Sequence, residues 1–266
     1  IFVMFYALWL WASGEKNLKR NLFYGGLTLF FLAFFVLSET RGGFIGLGAA
    51  VFAFFIFLAF KLPATRKWAL PLLVAFIVIS SILVYYRHSA FMQRFPGGRV
   101  FDIAFSGATV QTRLWTWGSA WQGFLERPLL GWGPENFTLV FDKYFNPHHY
   151  VPGQSSETWF DRAHNVFFDY LSETGFLGLL AYLGMFGVFY WEFFRKSAPV
   201  IERDISKELR VQKNDFIPGQ TVVLRGLLLA MPVGYLVQGL ALFDVLPIYI
   251  NLFLFLAFSA WFYTQQ

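Results

Sequence analysis

Three residues in this chain pair a reactive side chain with an unusual setting: Arg41, Arg113 and His164. Arg41 stands in Glu39-Thr40-Arg41-Gly42-Gly43, a short turn between two long apolar runs. An arginine so near hydrocarbon must snorkel, pair or meet a ligand. Glu39 is the obvious structural partner, while Gly42 and Gly43 let a ligand approach the backbone closely. Arg113 opens Thr112-Arg113-Leu114-Trp115-Thr116-Trp117. The helical spacing of Leu114, Trp117, Trp121 and Phe124 predicts an amphipathic helix at the membrane surface, rings facing down, with Thr112 as its N-cap. Arg113 then falls in the first turn, where a positive charge opposes the helix dipole, so an anionic partner is expected. His164 lies in Asp161-Arg162-Ala163-His164-Asn165, where a polar stretch meets a long apolar run. The dipole at a helix start disfavours added positive charge, which suits a neutral imidazole able to take a proton from an alcohol. Asp161, one turn earlier, is placed to orient that ring. The plainer reading is a histidine that caps the helix.

Residues around these three extend the candidate site. Asn165, Asp169 and Glu173 recur every four positions and so share one helix face. They either support His164 or bind a neighbouring helix, and the sequence leaves both open. Pro128-Leu129-Leu130-Gly131-Trp132-Gly133-Pro134 is a Gly/Pro reversal; Gly131 and Gly133 also allow a backbone nest for an anion. His148-His149 lacks the fixed carboxylate spacing of a metal site. No D-x-D pair, G-x-S-x-G elbow or Walker loop occurs, so a cation bridging a sugar diphosphate is not supported and no metal or other cofactor is expected.

The elements that must carry these residues are membrane helices. The 266 residues are 57% hydrophobic, 22% aromatic and only 14% charged, with mean hydropathy +0.51; soluble domains carry about a quarter charged residues. With about 20 apolar residues needed per crossing, spans are read at 1–12 (truncated), 22–38, 42–60, 69–86, 165–194, 222–243 and 245–263. The 165–194 run exceeds the bilayer thickness and should tilt or project. Met231-Pro232-Val233-Gly234 is one possible break. The chain opens without a signal peptide and reads as a fragment of a longer protein with spans upstream. It forms one transmembrane domain over 1–266, with residues 87–163 as a large polar loop.

Orientation follows from the basic residues. Lys16, Lys19, Arg20, Lys61, Arg66 and Lys67, and six more between Arg195 and Thr221, fall on one side, which the positive-inside rule makes cytoplasmic. The loop 87–163 and Arg41 then face outward. On that outer side the basic residues are Arg41, Arg87, Arg94, Arg99, Arg113, Arg127 and Arg162, with Lys143 the only lysine. Topology does not ask for that bias. A guanidinium binds phosphate oxygens in pairs, whereas an ammonium is a point charge. The outer arginines therefore either anchor lipid headgroups or bind a phosphate-bearing ligand. The net charge of +5 does not indicate nucleic acid, since no basic helix or aromatic-basic module is present.

Ser38-Glu39-Thr40-Arg41-Gly42-Gly43, Thr112-Arg113-Leu114-Trp115, Pro128 through Gly133, and Ala163-His164-Asn165 leading into Glu173-Thr174-Gly175-Phe176-Leu177-Gly178 together resemble the O-antigen ligase and O-antigen polymerase (Wzy-type) family. The likeness is good over roughly 22–183 and one of character beyond. It implies an all-α, GT-C-like bundle of about seven spans in a bacterial inner membrane. It implies a glycosyltransferase of lipopolysaccharide or polysaccharide biosynthesis with its active site facing the periplasm. The donor would be a glycan on polyprenyl (undecaprenyl) diphosphate, the acceptor a hydroxyl of lipid A core or a growing glycan, and the reaction metal-independent and inverting. The family's essential arginines and histidine carry over to Arg41, Arg113 and His164. Arg162, Trp117, Gly131 and Gly133 would add substrate contacts, and Glu39, Asp161, Asn165, Asp169 and Glu173 would support them. The rival readings are a transporter or flippase of a lipid-linked saccharide and a structural scaffold.

Overall fold

The computed structural model describes residues 1–14, 17–61, 63–94, 98, 108–150, 158–195 and 218–264. Their regular structure is helical, with no strand among them. In chain order the helices are α1 (Phe2–Ser13), α2 (Leu18–Leu37), α3 (Arg41–Lys61), α4 (Pro63–Tyr85), α5 (Ala90–Arg94), α6 (Ala108–Glu126), α7 (Phe137–Lys143), α8 (Val166–Arg195), α9 (Pro218–Gln238) and α10 (Leu246–Thr264). Five are long and apolar enough to cross a membrane, within α2, α3, α4, α8 and α10, and Phe2–Ala12 and Val222–Gln238 are shorter apolar helices. The chain is thus an all-α membrane protein, with five helices of full crossing length among the described residues where seven spans were expected. At 1.5 Å per residue the 12 residues of α1 fall short of a hydrocarbon core about 30 Å thick. The sixth expected span ends early, at Gln238, and 239–245 is a non-helical connector. Pro232 lies inside α9, which runs on through it, so the one possible break read at 231–234 is not made.

The main core joins α1, α8, α9 and α10 through Phe5, Trp9, Phe186, Phe189, Phe193, Leu228, Tyr235 and Phe255. Ring contacts such as Phe5–Phe255 (5.2 Å) and Trp9–Phe262 (5.1 Å) fill it. In lipid such packing, rather than escape from water, holds helices together. The closest helix pair is α3 with α9. A Cβ placed on Gly46 would stand 2.5 Å from the Gly234 carbonyl oxygen. Gly42, Gly46 and Ala50, each four apart and buried, form the small-residue stripe that permits this approach. The stripe fixes the register of α3, and so the position of Arg41 at its first residue.

The excess length of the 165–194 run, expected to appear as tilt or projection, is divided by a break in α8. Gly175 has φ 68° and ψ −168°, which splits the helix into 166–174 and 176–195. The second leg has 20 residues, about 30 Å and one hydrocarbon thickness. A straight helix would bond the Phe176 and Leu177 amides to the Ser172 and Glu173 carbonyls. Here the Phe176 N–H donates to Pro128 O (2.8 Å) and the Leu177 N–H to Leu129 O (3.3 Å), while the Trp132 and Gly133 amides donate to Ser172 O (3.0 Å) and Glu173 O (2.7 Å). The 128–133 reversal is woven into the break, leaving these four amides and four carbonyls paired. Gly131 (φ 66°) and Gly175 make it possible, since a Cβ on either would meet the opposing backbone at 2.4 Å.

Candidate functional site

His164 precedes the first turn of α8. Its φ is 54°, a left-handed conformation costly for a non-glycine residue. The flanking residues over-determine it. Asn165 is the N-cap, accepting from the Phe167 (2.9 Å) and Phe168 (3.3 Å) amides, and its Nδ2 donates to Leu240 O (3.0 Å). The Val166 amide donates to Gly239 O (2.8 Å) and Leu242 O (3.1 Å). Asp169 Oδ1 accepts the Ala163 N–H at 2.6 Å. The imidazole lies edge-on to Phe160 (5.5 Å) and Phe243 (5.0 Å). Its Nδ1 is 3.2 Å from the Arg162 carbonyl oxygen. A carbonyl can only accept, so Nδ1 carries the proton and the neutral ring keeps its lone pair on Nε2. The orienting role expected of Asp161 falls to that carbonyl; Asp161 itself is exposed.

Arg41 and Arg113 stand on elements that contact the segments around His164. Arg41 is the first residue of α3, and a Cβ on its neighbour Gly42 would meet Ala241 and Leu242 at 3.1 Å. His164 contacts Phe243 in that same connector. Arg113 is the sixth residue of α6, which starts at Ala108, so neither the first-turn placement nor the Thr112 cap holds; Thr112 Oγ1 donates to Thr109 O (3.1 Å). The charge opposing a helix dipole is that of Arg41 instead. One turn beyond Arg113, the Trp117 indole N–H donates to Ala163 O (2.9 Å), beside His164, and its ring stacks on Phe168 at 5.4 Å. Trp117 therefore anchors α6 rather than joining the exposed stripe, which is Leu114, Trp121 and Leu125. The buried face of α6 is the small one, Thr116, Ser119, Ala120 and Gly123, against α7. Both arginines are half-buried.

Other expected contributors are committed elsewhere. Arg162 Nη1 donates to Glu173 Oε1 (3.0 Å) and its Nη2 to Glu135, so its fork is taken up by carboxylates rather than left for a substrate. The Trp132 and Gly133 amides bond α8, as above, and the Gly131 amide donates to Arg127 O (3.0 Å), which removes these donors from an anion nest at Gly131 and Gly133. Arg127 packs over Trp132 (4.1 Å) and Arg87 donates to Val84 O (2.9 Å). Arg99 lies outside the described residues. His148 stacks on Trp115 (5.5 Å), and His149 is buried among Phe141, Phe145 and Phe160, where burial pushes its pKa down. Among the described residues no group of three or more His, Asp or Glu is arranged to hold a metal ion.

A cavity of about 260 Å³ opens beside His164, lined by Pro134, Glu135, Arg162, Val166, Asp169, Tyr170, Glu173, Thr174, Asp244 and Tyr249. Glu135, Asp244 and Tyr249 were not visible as site residues in the sequence. Glu135 (φ 65°) follows the reversal, and its amide donates to Glu173 Oε2 (3.1 Å). Asp244 sits alone in the α9–α10 connector, where Tyr235 donates to it at 2.5 Å and is itself approached by the Tyr182 hydroxyl at 3.0 Å. Burial pushes the Asp244 carboxyl up to about 6, against the Tyr235 hydrogen bond. The available cue for Asp244 was an acid placed between two apolar runs.

No curated protein and no solved structure matches the chain. A family model described as O-antigen ligase matches residues 26–183, a stretch that holds Arg41, Arg113, the 128–133 reversal and His164, and the chain belongs to that family.

Proposed function

We propose that the chain transfers a glycan from a polyprenyl-diphosphate carrier to an acceptor hydroxyl, a lipid A core or a growing glycan, on the periplasmic face of a bacterial inner membrane. The observation that carries this reading is that Gly42, beside Arg41, and His164 both pack on the 239–243 connector, with Arg113 one turn from the Trp117–Ala163 bond. In the proposed reaction the acceptor oxygen attacks the anomeric carbon opposite the diphosphate. The new sugar–oxygen bond forms as the sugar–diphosphate bond breaks, and its electron pair leaves on the diphosphate. Arg41 and Arg113 neutralise that charge through paired hydrogen bonds, each worth a few kcal/mol in a water-poor site. His164 Nε2 takes the hydroxyl proton and releases it to solvent. Attack from the far side inverts the anomeric configuration, and no step needs a cation.

A transporter would use the unwound peptide groups of a broken helix to hold its substrate. In α8 the peptide groups freed at Gly175 are bonded to the 128–133 reversal, which favours the enzyme. The test is transfer by the purified, reconstituted protein and its variants. Arg41→Ala and Arg113→Ala should each lose about 10²–10³-fold in rate, the scale of losing one oxyanion contact. Lysine should rescue poorly, because a point charge cannot make the paired contact. His164→Ala should lower kcat by about 10²–10⁴-fold with little change in donor KM. Wild-type turnover in any of the three alanine variants sinks the assignment of that residue.

A further inference from the structure

The cavity beside His164 does not suit the diphosphate. It gathers four carboxyl groups, Glu135, Asp169, Glu173 and Asp244, around one guanidinium, and that guanidinium already meets two of them. A phosphate there would face net negative charge. Each carboxyl group has at least one oxygen tied to the protein: Asp169 to the Ala163 amide, Asp244 to Tyr235, Glu135 to Arg162, and Glu173 to Arg162 through one oxygen and the Glu135 amide through the other. Asp169 Oδ2 is different. Asp169 is one of the lining residues; it is 8% exposed, and this oxygen is buried without a hydrogen-bond partner. A buried carboxylate oxygen left without a donor is costly, so the cavity asks for a ligand that brings hydrogen-bond donors. One structural water occupies about 30 Å³, far less than the 260 Å³ present. That space matches a single sugar ring, whose hydroxyls are neutral donors. The cavity also has the right address, since Arg162 and Val166 of its wall lie two residues to either side of His164.

We propose that this cavity is a sugar subsite, in which Asp169 Oδ2 accepts a hydroxyl of one pyranose ring while Tyr249 and Glu135 complete the polar wall. The assignment rests on the glycan-transfer reading and separates two territories at one site, arginines for the diphosphate and carboxylates for the sugar. Either the donor's or the acceptor's sugar could occupy it, because both offer the same hydroxyl chemistry.

Binding can be tested without turnover. Purified full chain in detergent is titrated with phosphate-free mono- and disaccharides, read by saturation-transfer NMR, and separately with inorganic pyrophosphate, read by phosphorus NMR line broadening. The expected result is saccharide binding that Asp169→Asn weakens about ten- to a hundredfold, the loss of a charge-assisted hydrogen bond. Tyr249→Phe, which removes only a hydroxyl, should weaken it about threefold to tenfold, and serves if Asp169→Asn does not fold. Pyrophosphate binding should survive in both variants and fall in Arg41→Ala. In the transfer assay, a raised acceptor KM in Asp169→Asn or Tyr249→Phe identifies the acceptor's sugar and a raised donor KM the donor's; either supports the subsite. Saccharide binding unchanged in both variants, or a cavity that binds pyrophosphate instead, overturns it. Loss of the pyrophosphate signal in wild type would count against the arginine reading alone, so the two failures are distinguishable.

Discussion

Gly175→Ala is the perturbation whose consequences follow most directly from the backbone. In the bent α8 an alanine must hold φ near 68° with ψ near −168°, an essentially glycine-only region that costs about 1–3 kcal/mol. Its Cβ would also stand 2.4 Å from the Leu129 carbonyl carbon, and backbone cannot swing aside as a side chain can. Straightening α8 is the alternative. It breaks the four bonds between 172–177 and 128–133 and regains two inside the helix, from the Phe176 and Leu177 amides. Two bonds are lost on balance, about 1–3 kcal/mol at 0.5–1.5 kcal/mol each, with Ala over Gly helix propensity returning about 1 kcal/mol. Strain in the bent state and propensity in the straight one together shift the balance towards undocking by about 2–4 kcal/mol, on the order of 30–1000-fold in population. Undocking withdraws Glu135 from Glu173 and Arg162, and with them the strut behind the His164 turn. Hydrogen exchange resolved to the Trp132 and Gly133 amides is the assay: protection should fall by that factor, and transfer should fall with it. Gly131→Ala should do the same from the other side, and the double variant should be little worse than either single, since both disrupt one contact. Wild-type protection of those two amides in Gly175→Ala, or full additivity in the double variant, refutes the interlock.

Further outcomes follow from the site. Asn165→Ala removes both the cap of α8 and the bond to Leu240, so a loss of about 1–3 kcal/mol is expected, read as a lower detergent melting temperature; an unchanged melt contradicts the capping role. Asp244 has a folded pKa of about 6 against an ordinary 3.8, so the folded state binds more protons between these values and stability falls as pH rises through about 4–6. Asp244→Asn should flatten that slope, measured as the difference in melting temperature between the two proteins from pH 4 to 7. A wild-type protein that becomes more stable than Asp244→Asn as pH rises would reverse the sign and reject the burial argument. Gly46→Leu should separate α3 from α9, because its side chain would meet Gly234 and Gln238 backbone within 3.2 Å. The expected readout is increased proteolysis with loss of transfer, and a fully stable, active variant would contradict the close approach.

Much of this architecture is legible in residue types. Apolar runs mark the helices to within a few residues, and Asn165, Asp169 and Glu173 do share one buried face. The errors have physical causes. Helix α6 begins at Ala108, four residues before Thr112, because capping preference alone cannot say where an amphipathic repeat starts. Trp117 reads as part of an apolar stripe, yet its indole N–H needs an acceptor and finds one at Ala163. The 30-residue α8 looks like one tilted span, and only the pairing of Gly131 with Gly175, distant in sequence, explains its bend. Gly42, read as room for a ligand, instead belongs with Gly46 and Ala50 to a buried helix-contact stripe. The cavity could not be read, since Glu135, Asp244 and Tyr249 come from three separate segments whose meeting depends on the α8 bend.

The most direct test of the central claim is the mass of the product formed by purified protein supplied with a polyprenyl-diphosphate-linked oligosaccharide and candidate hydroxyl acceptors. The account requires an acceptor heavier by the whole oligosaccharide, one polyprenyl diphosphate released per transfer, and product formation slowed about 10²–10³-fold when Arg41 or Arg113 is alanine. Unmodified oligosaccharide-lipid recovered intact on the opposite face of the vesicle, with no covalent adduct to any acceptor, would contradict it.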